Sequence, residues 1–520
     1  MQNFQATMKR FTPHLGVILI ALCAMLLHII FCYTLSPSKS VIAFGFIGVL
    51  LLVVLYALYC KLRKNDPKEL VFLISLITGG VLFCFLFPPG TVPDELHHYE
   101  SSYAYSNGTP NLTNKELTMR VDDSIFVKED MDNYIGYERY RALKDDFTLS
   151  VEDPSLITIT AVKNFDINGN PPQTKIPSAL GIFLGKLLGL SALVTFYLGR
   201  LCNLIFFIAL AYAAVRITPI GKNIFIAISL LPMTLHIAAS YSYDAAIMGY
   251  AFAFTALCLK CIHEQKQQPP YILVLIAVFG ILLAPCKSIY SLILILLFFI
   301  PSCSFKDKRI GIGYKSGTIV LAFLFLFMLQ AASINGLAAS SSGSTTLNTR
   351  GAETGHFYGI GDLLQDPSRL LTILLFTFDD KFWFYIYSMV GGSLGWFQPN
   401  LIAPFYFPLL LVIVLLISAI SQPQDKTNLT PALRVVCFAI FFAIGAGSAA
   451  SMLLGHTFTT EIVIDGVQGR YLLPALPLLL LALRSKHLTM DRNPKNWIIL
   501  FFVWFNAIYL LRIFTLALTF

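Results

Sequence analysis

The feature that most constrains this chain is a succession of apolar runs of about 18–22 residues, the length an α-helix needs to cross a hydrocarbon core of about 30 Å. The runs are continuous rather than alternating, which excludes a membrane β-barrel. Of 520 residues, 56% are hydrophobic and only 13% are charged, where a soluble domain carries about 25%. The fold class expected is an all-α polytopic membrane protein. Thirteen spans are predicted, near 13–33, 41–60, 69–88, 192–216, 223–241, 245–262, 271–285, 287–301, 316–333, 403–420, 435–453, 471–485 and 497–518.

Basic residues set the expected orientation. Lys9 and Arg10 precede the first span, and "KLRKNDPK" (61–68) separates the second from the third. "FKDKRIGIGYK" (305–315), "QDKTNLTPALR" (424–434) and "LRSKHLTMDRNPK" (483–495) fall on the same side after alternation. These loops and the N-terminus are expected to be cytoplasmic, so 89–178 faces outward. The first span is long and lacks a small-residue cleavage site, and reads as a retained helix. The net charge is +8, yet loop 89–178 carries fifteen Asp/Glu and only eight Lys/Arg. The basic excess is spread over separate loops, which suits topology and anionic lipid headgroups and argues against nucleic acid. None of the ten cysteines lies in 89–178. Cys258 and Cys261 read as packing residues rather than a metal or redox pair.

Three outward segments stand apart from the spans. Loop 89–178 is long enough for a small helical cap, and 178–190 is too short to cross, so an interfacial or re-entrant helix is expected there. Segment 334–402 opens on a flexible tract. Its apolar stretch 369–389 is interrupted by Asp379, Asp380 and Lys381, and reads as an interfacial helix with Trp383, Tyr385 and Tyr387 at headgroup depth. The third is 454–470.

The densest titratable cluster is Pro93-Asp94-Glu95-Leu96-His97-His98-Tyr99, immediately after the third span. Proline favours the first turn of a helix, and on such a helix Asp94, His97 and His98 share a face. A carboxylate at the edge of a low-dielectric slab has a raised proton affinity, which suits a general base. The same three residues are also a donor set for a divalent metal such as Mg or Mn, and an acidic helix start needs no function at all. Arg200, Lys287 and Arg470 are expected at the same level, as a site for a phosphate or as membrane anchors. Asp244 and Trp396 lie near that face, and Gln468 precedes Arg470 by two residues.

"PPGTVPDELHHY", "AASYSYDA", Lys287, "GGSLGWF" and "GVQGRYLLPALP" occur in that order. In these blocks, from about 69 to 485, the chain resembles the bacterial membrane proteins grouped as domain of unknown function 2142. That family in turn resembles the GT-C glycosyltransferases, whose first outward loop begins with an acidic pair. The resemblance implies an inverting enzyme that takes a sugar from a polyprenyl-phosphate carrier to an envelope glycan or glycolipid hydroxyl, outside the bacterial cytoplasmic membrane. It implies Asp94 and Glu95 as catalytic carboxylates. Arg470, Lys287 and Arg200 would hold the donor phosphate, and His97, His98, Tyr99, Asp244, Trp396 and Gln468 would contact sugar or acceptor. In the GT-C plan the acidic loop follows the first span, whereas here it follows the third. Residues 1–68 would then be two added helices, 69–333 a GT-C-like core, 334–402 an outward loop and 403–520 the final helices. A transporter or flippase, or a non-catalytic assembly factor, is the alternative.

Overall fold

Out of water, a helix is the element that satisfies its own backbone groups, and the apolar runs fold accordingly. The computed structural model describes residues 69–87, 89–108, 116–128, 148–161, 171–340, 357–395, 406–421, 429–484, 488–490 and 494–519. The first two expected spans lie outside the described residues, as do residues 1–68 as a unit.

In chain order the helices are α1 (Leu70–Leu86), α2 (Glu95–Ser106), α3 (Pro172–Leu187), α4 (Ala192–Ile217), α5 (Lys222–Ser229), α6 (Pro232–Ala238), α7 (Asp244–Glu264) and α8 (Pro270–Leu283). They continue with α9 (Lys308–Ser340), α10 (Ile360–Gln365), α11 (Pro367–Val390), α12 (Tyr406–Ser418), α13 (Pro431–His456), α14 (Leu476–Leu483) and α15 (Lys495–Thr519). Pro172, Pro232, Pro270, Pro367 and Pro431 each open a helix, where the missing N–H would have had no partner. Ser191, Asp366 and Thr430 cap α4, α11 and α13 through their side-chain oxygens.

Among the described residues five helices are long and apolar enough to cross a membrane: Ala192–Ile217, Asp244–Glu264, Lys308–Leu329, Pro431–Leu454 and Lys495–Ile513. Four expected spans are shorter apolar helices, and three expectations need correcting in form. The run 223–241 breaks into α5 and α6 at Pro232, whose ring cannot continue a helix. The run 471–485 is a 3-10 turn, Gly469–Leu472, followed by the short α14. The run 287–301 is a 3-10 helix over Ser288–Phe299. At about 2.0 Å rise per residue this conformation reaches a third farther than an α-helix of the same length, so a short apolar run covers more depth.

α7 is the centre of the bundle. It packs on α4, α8, α6 and the long 3-10 helix, and 89% of its apolar window is buried, against 17% for α9 at the rim. The bundle has two distinct ends. At one, Lys222 pairs with Glu69 at 3.1 Å and Arg434 Nε donates to the Ala482 carbonyl. At the other lie the C-terminus of α1 and the N-terminus of α7.

Above that second end, α2, α3, the start of α4 and a two-stranded antiparallel sheet form a cap. β1 (Glu116–Arg120) pairs with β2 (Leu156–Thr160), Glu116 opposite Thr160. The sheet was not foreseen, because five-residue strands inside a polar loop leave little periodic signal. Tyr99, Tyr103, Met119, Phe126, Ile182, Phe196 and Tyr241 make the cap's core. Below them Arg120 is salt-bridged to Asp123 at 2.7 Å, and Tyr103 donates to the same carboxylate. α3 and α4 approach closely at glycines: a Cβ on Gly181 would stand 2.4 Å from the Leu198 carbonyl oxygen.

A second small unit joins the described parts of 334–402 and 454–470. Arg369 Nη2 donates to the Thr459 carbonyl at 2.7 Å, and the Ile464 N–H to Thr377 at 2.8 Å. α11 forms where the interfacial helix was expected and is not among the five long apolar helices. Tyr387 is buried, because the C-terminal half of α11 packs against the 3-10 turn at 469–472.

Candidate active site

The turn between α1 and α2 carries Asp94 and Glu95 in opposite directions. Asp94 adopts φ 60°, in the left-handed region, where Asp is among the few non-glycine residues found, at a cost of about 1–2 kcal/mol. Pro93 therefore precedes the helix cap instead of entering the first turn. The Asp94 carboxylate makes no cap bond to its own helix.

Glu95 turns inward to Arg200, and both are essentially without solvent exposure. Arg200 Nε donates to Oε1 at 2.8 Å, and Nη2 donates to Oε2. The Gly90 and Tyr241 N–H groups add bonds to the same carboxylate at 3.2 and 3.3 Å. Arg200 Nη1 donates to the Cys84 and Phe87 carbonyls. A buried pair is tolerable when its remaining valences are met in this way. The pair fastens the end of α1, the start of α2, α4 and the turn before α7, and so holds Asp94 in its unusual backbone conformation.

Asp94 faces three other residues. Arg470 Nη2 is 3.8 Å from Asp94, Arg470 Nε is 3.4 Å from Asp244, and Lys287 Nζ is 3.2 Å from the other Asp244 oxygen. The result is a chain of alternating charge, with the Asp94 side chain 44% exposed and that of Asp244 5%. Lys287 stands 3.8 Å from the Tyr471 ring centroid and 4.9 Å from that of Tyr243, attractive positions for a cation. Asp244 at 3.2 Å offsets the cost of taking this charge partly out of water. Gly469 explains how Arg470 reaches the site. A Cβ there would stand 1.9 Å from the Tyr385 carbonyl oxygen, so only glycine lets this turn lie against α11.

Lys175, which the sequence reading did not single out, completes the cluster. It is 0% exposed. Its Nζ lies 2.7 Å from His98 Nδ1 and 5.4 Å from the Tyr243 ring centroid. α3 lies outside the long apolar helices, and burial pushes Lys175 well below the usual lysine pKa, with Asp244 and Asp94 pulling partly the other way. A signal was present in "NPPQTKIPSALGIF". The paired prolines mark a helix start, and a lysine in the first turn of an apolar helix opposes the helix dipole.

Asp94, Asp244, Lys287 and Arg470 are thus brought together, with His98 joined to them through Lys175. Glu95 and Arg200 lie behind them. His97 contacts the His98 ring at 5.7 Å between centroids. Tyr99 points away into the aromatic core of the cap, 4.9 Å from Phe196. Gln468 stands at the head of the turn that carries Arg470. Trp396 lies outside the described residues; the loop just before it is held by the Gly395 N–H donating to His236 Nε2 at 3.1 Å. Among the described residues no three His, Cys, Asp or Glu side chains are grouped to hold a metal, and His98 Nδ1 is engaged by Lys175. The arrangement offers a solvent-reachable carboxylate beside two fixed cations, which suits taking a proton while an anion forms next to it.

The family model described as "Predicted membrane protein (DUF2142)" matches residues 76–479, and the chain belongs to that family. No curated protein and no solved structure matches the chain.

Proposed function

We propose that this member of the DUF2142 family is a membrane glycosyltransferase, moving a sugar from a polyprenyl-phosphate donor to an envelope glycan or glycolipid hydroxyl on the outer face of the bacterial cytoplasmic membrane. The observation that carries this reading is the exposed Asp94 carboxylate 3.8 Å from Arg470, which shares Asp244 with Lys287. Asp94 takes the proton of the acceptor hydroxyl as its oxygen attacks the sugar's anomeric carbon. The bond to the carrier phosphate breaks, and the phosphate leaves with the electron pair, its charge met by Lys287 and Arg470. One displacement of this kind inverts the anomeric centre. Asp244 spaces and orients the two cations, and Glu95 with Arg200 acts by positioning Asp94. The acidic pair Asp94-Glu95 at the start of a long loop, a feature in which the chain resembles GT-C enzymes, supports the same assignment. A lipid-borne phosphate also carries its reactive carbon at headgroup depth, where α1 ends.

The break between α5 and α6 favours a second reading, because discontinuous helices line the substrate sites of many transporters. One experiment separates the two. Purified protein in sealed proteoliposomes is offered a panel of radiolabelled polyprenyl-phosphate sugars with acceptor glycolipids. Transfer of label to the acceptor is expected from the wild type, with a loss of about 10²–10⁴-fold in Asp94→Asn. Asparagine tolerates the same backbone conformation, so the variant should remain folded. Label moved across vesicles without transfer would establish the transporter, and undiminished transfer in Asp94→Asn would remove Asp94 from the chemistry.

A further inference from the structure

Two lysines, Lys175 and the partly exposed Lys287, lean on the same ring, Tyr243, and differ in their partners. Lys287 has a carboxylate at 3.2 Å. Lys175 has none within salt-bridge distance among the described residues, and its hydrogen-bond partner there is an imidazole nitrogen at 2.7 Å. Lys175 is the more deeply buried of the two, at 0% exposure, and sits in the first turn of α3, at the positive end of a helix dipole. An isolated ammonium in such a place costs several kcal/mol, and the group sheds its proton instead. A buried amine near two committed cations has an evident use, since the carrier phosphate gains a second negative charge as the sugar leaves, more than Lys287 and Arg470, already shared with Asp244 and Asp94, can balance.

We propose that Lys175 rests as a neutral amine in the ligand-free protein and takes up a proton when a dianionic phosphate monoester, the form of the carrier once the sugar has left, is held at Lys287 and Arg470, so that the carrier phosphate's second charge is coupled to proton uptake. This rests on the donor-phosphate reading of those two residues. The titratable and charged groups facing Lys175 are His98 and Asp94 from the α2 turn, and Tyr243 and Asp244 from the start of α7. α4 offers Arg200, already paired with Glu95. The proton comes from solvent, and the His98 imidazole is the polar contact that leads to Nζ.

The test is calorimetric titration of the full chain in nanodiscs with farnesyl phosphate at pH 8, in two buffers of different ionisation enthalpy. At that pH the phosphate is already dianionic, so protons gained belong to the protein. The wild type should take up about one proton per ligand bound, by linkage to one group. Lys175→Arg is permanently charged and should bind with no uptake. Lys175→Gln should bind on the order of tenfold more weakly, also with no uptake. His98→Gln should keep the uptake. Binding without uptake in the wild type, or uptake persisting in Lys175→Arg, overturns the inference. Loss of uptake in His98→Gln alone would make the imidazole the acceptor and overturn it as well. Absence of any binding by the wild type would instead overturn the donor-phosphate reading, and this inference with it. A parallel titration with inorganic phosphate should show weaker binding than farnesyl phosphate; the reverse order overturns the lipid-borne assignment.

Discussion

Replacing Arg200 by methionine should unfold the site end of the bundle before it affects any ligand. The side chain is fully buried and meets both Glu95 oxygens, while its remaining amine bridges the Cys84 and Phe87 carbonyls. Arg200→Met leaves Glu95 buried beside only the Gly90 and Tyr241 N–H groups. Removing one partner of a buried pair costs about 3–5 kcal/mol. Glu95→Gln should cost a similar amount, because its amide turns a donor toward the guanidinium. The double variant removes both charges and should be less destabilised than the sum of the singles, a coupling of about 0.5–3 kcal/mol as is usual for residues in direct contact. The assay is an unfolding titration with SDS in mixed micelles for all four proteins, run beside farnesyl phosphate binding. Arg200→Met within about 0.5 kcal/mol of wild type, the scale of an inconsequential surface change, together with weakened phosphate binding, would refute the reasoning and return Arg200 to the ligand.

Arg470→Ala should slow donor-dependent transfer by about ten- to a hundredfold, the worth of one charge-assisted hydrogen bond. Arg470→Lys should recover only part, since lysine lacks the planar fork; steady-state kinetics in donor concentration checks both. Gly469→Ala should destabilise by about 1–3 kcal/mol, because the Tyr385 carbonyl oxygen cannot yield the space a Cβ needs; unfolding titration reads it, and a neutral result would mean the turn lies farther from α11. In a cysteine-free background, a cysteine at Ser150 should react with an impermeant maleimide in intact cells and one at Lys306 should not, both positions being exposed. The reverse pattern would invert the orientation.

Composition alone makes the chain a membrane protein and places most of the long apolar helices among the described residues, together with the residue types of the site. Each of those follows from local composition: an apolar run long enough to cross, a proline that opens a helix, a carboxylate at the end of a run. Asp94, Asp244, Lys287 and Arg470 were legible for the same reason, as charged residues at run ends on one side of the alternation. Only the tertiary structure decided what each charge does. Glu95 and Arg200 are 105 residues apart, Lys175 and His98 are 77 apart, and Lys287 and Asp244 are 43 apart. No local pattern carries a pairing over such distances, so Arg200 read as a phosphate ligand although it is spent on Glu95. Lys175 went unnoticed because its meaning lies in its burial and in having no carboxylate within salt-bridge distance among the described residues. The broken α5–α6 and the 3-10 helix at 288–299 were hidden likewise, because an apolar run announces its depth but not its winding, and packing against α7 chose that.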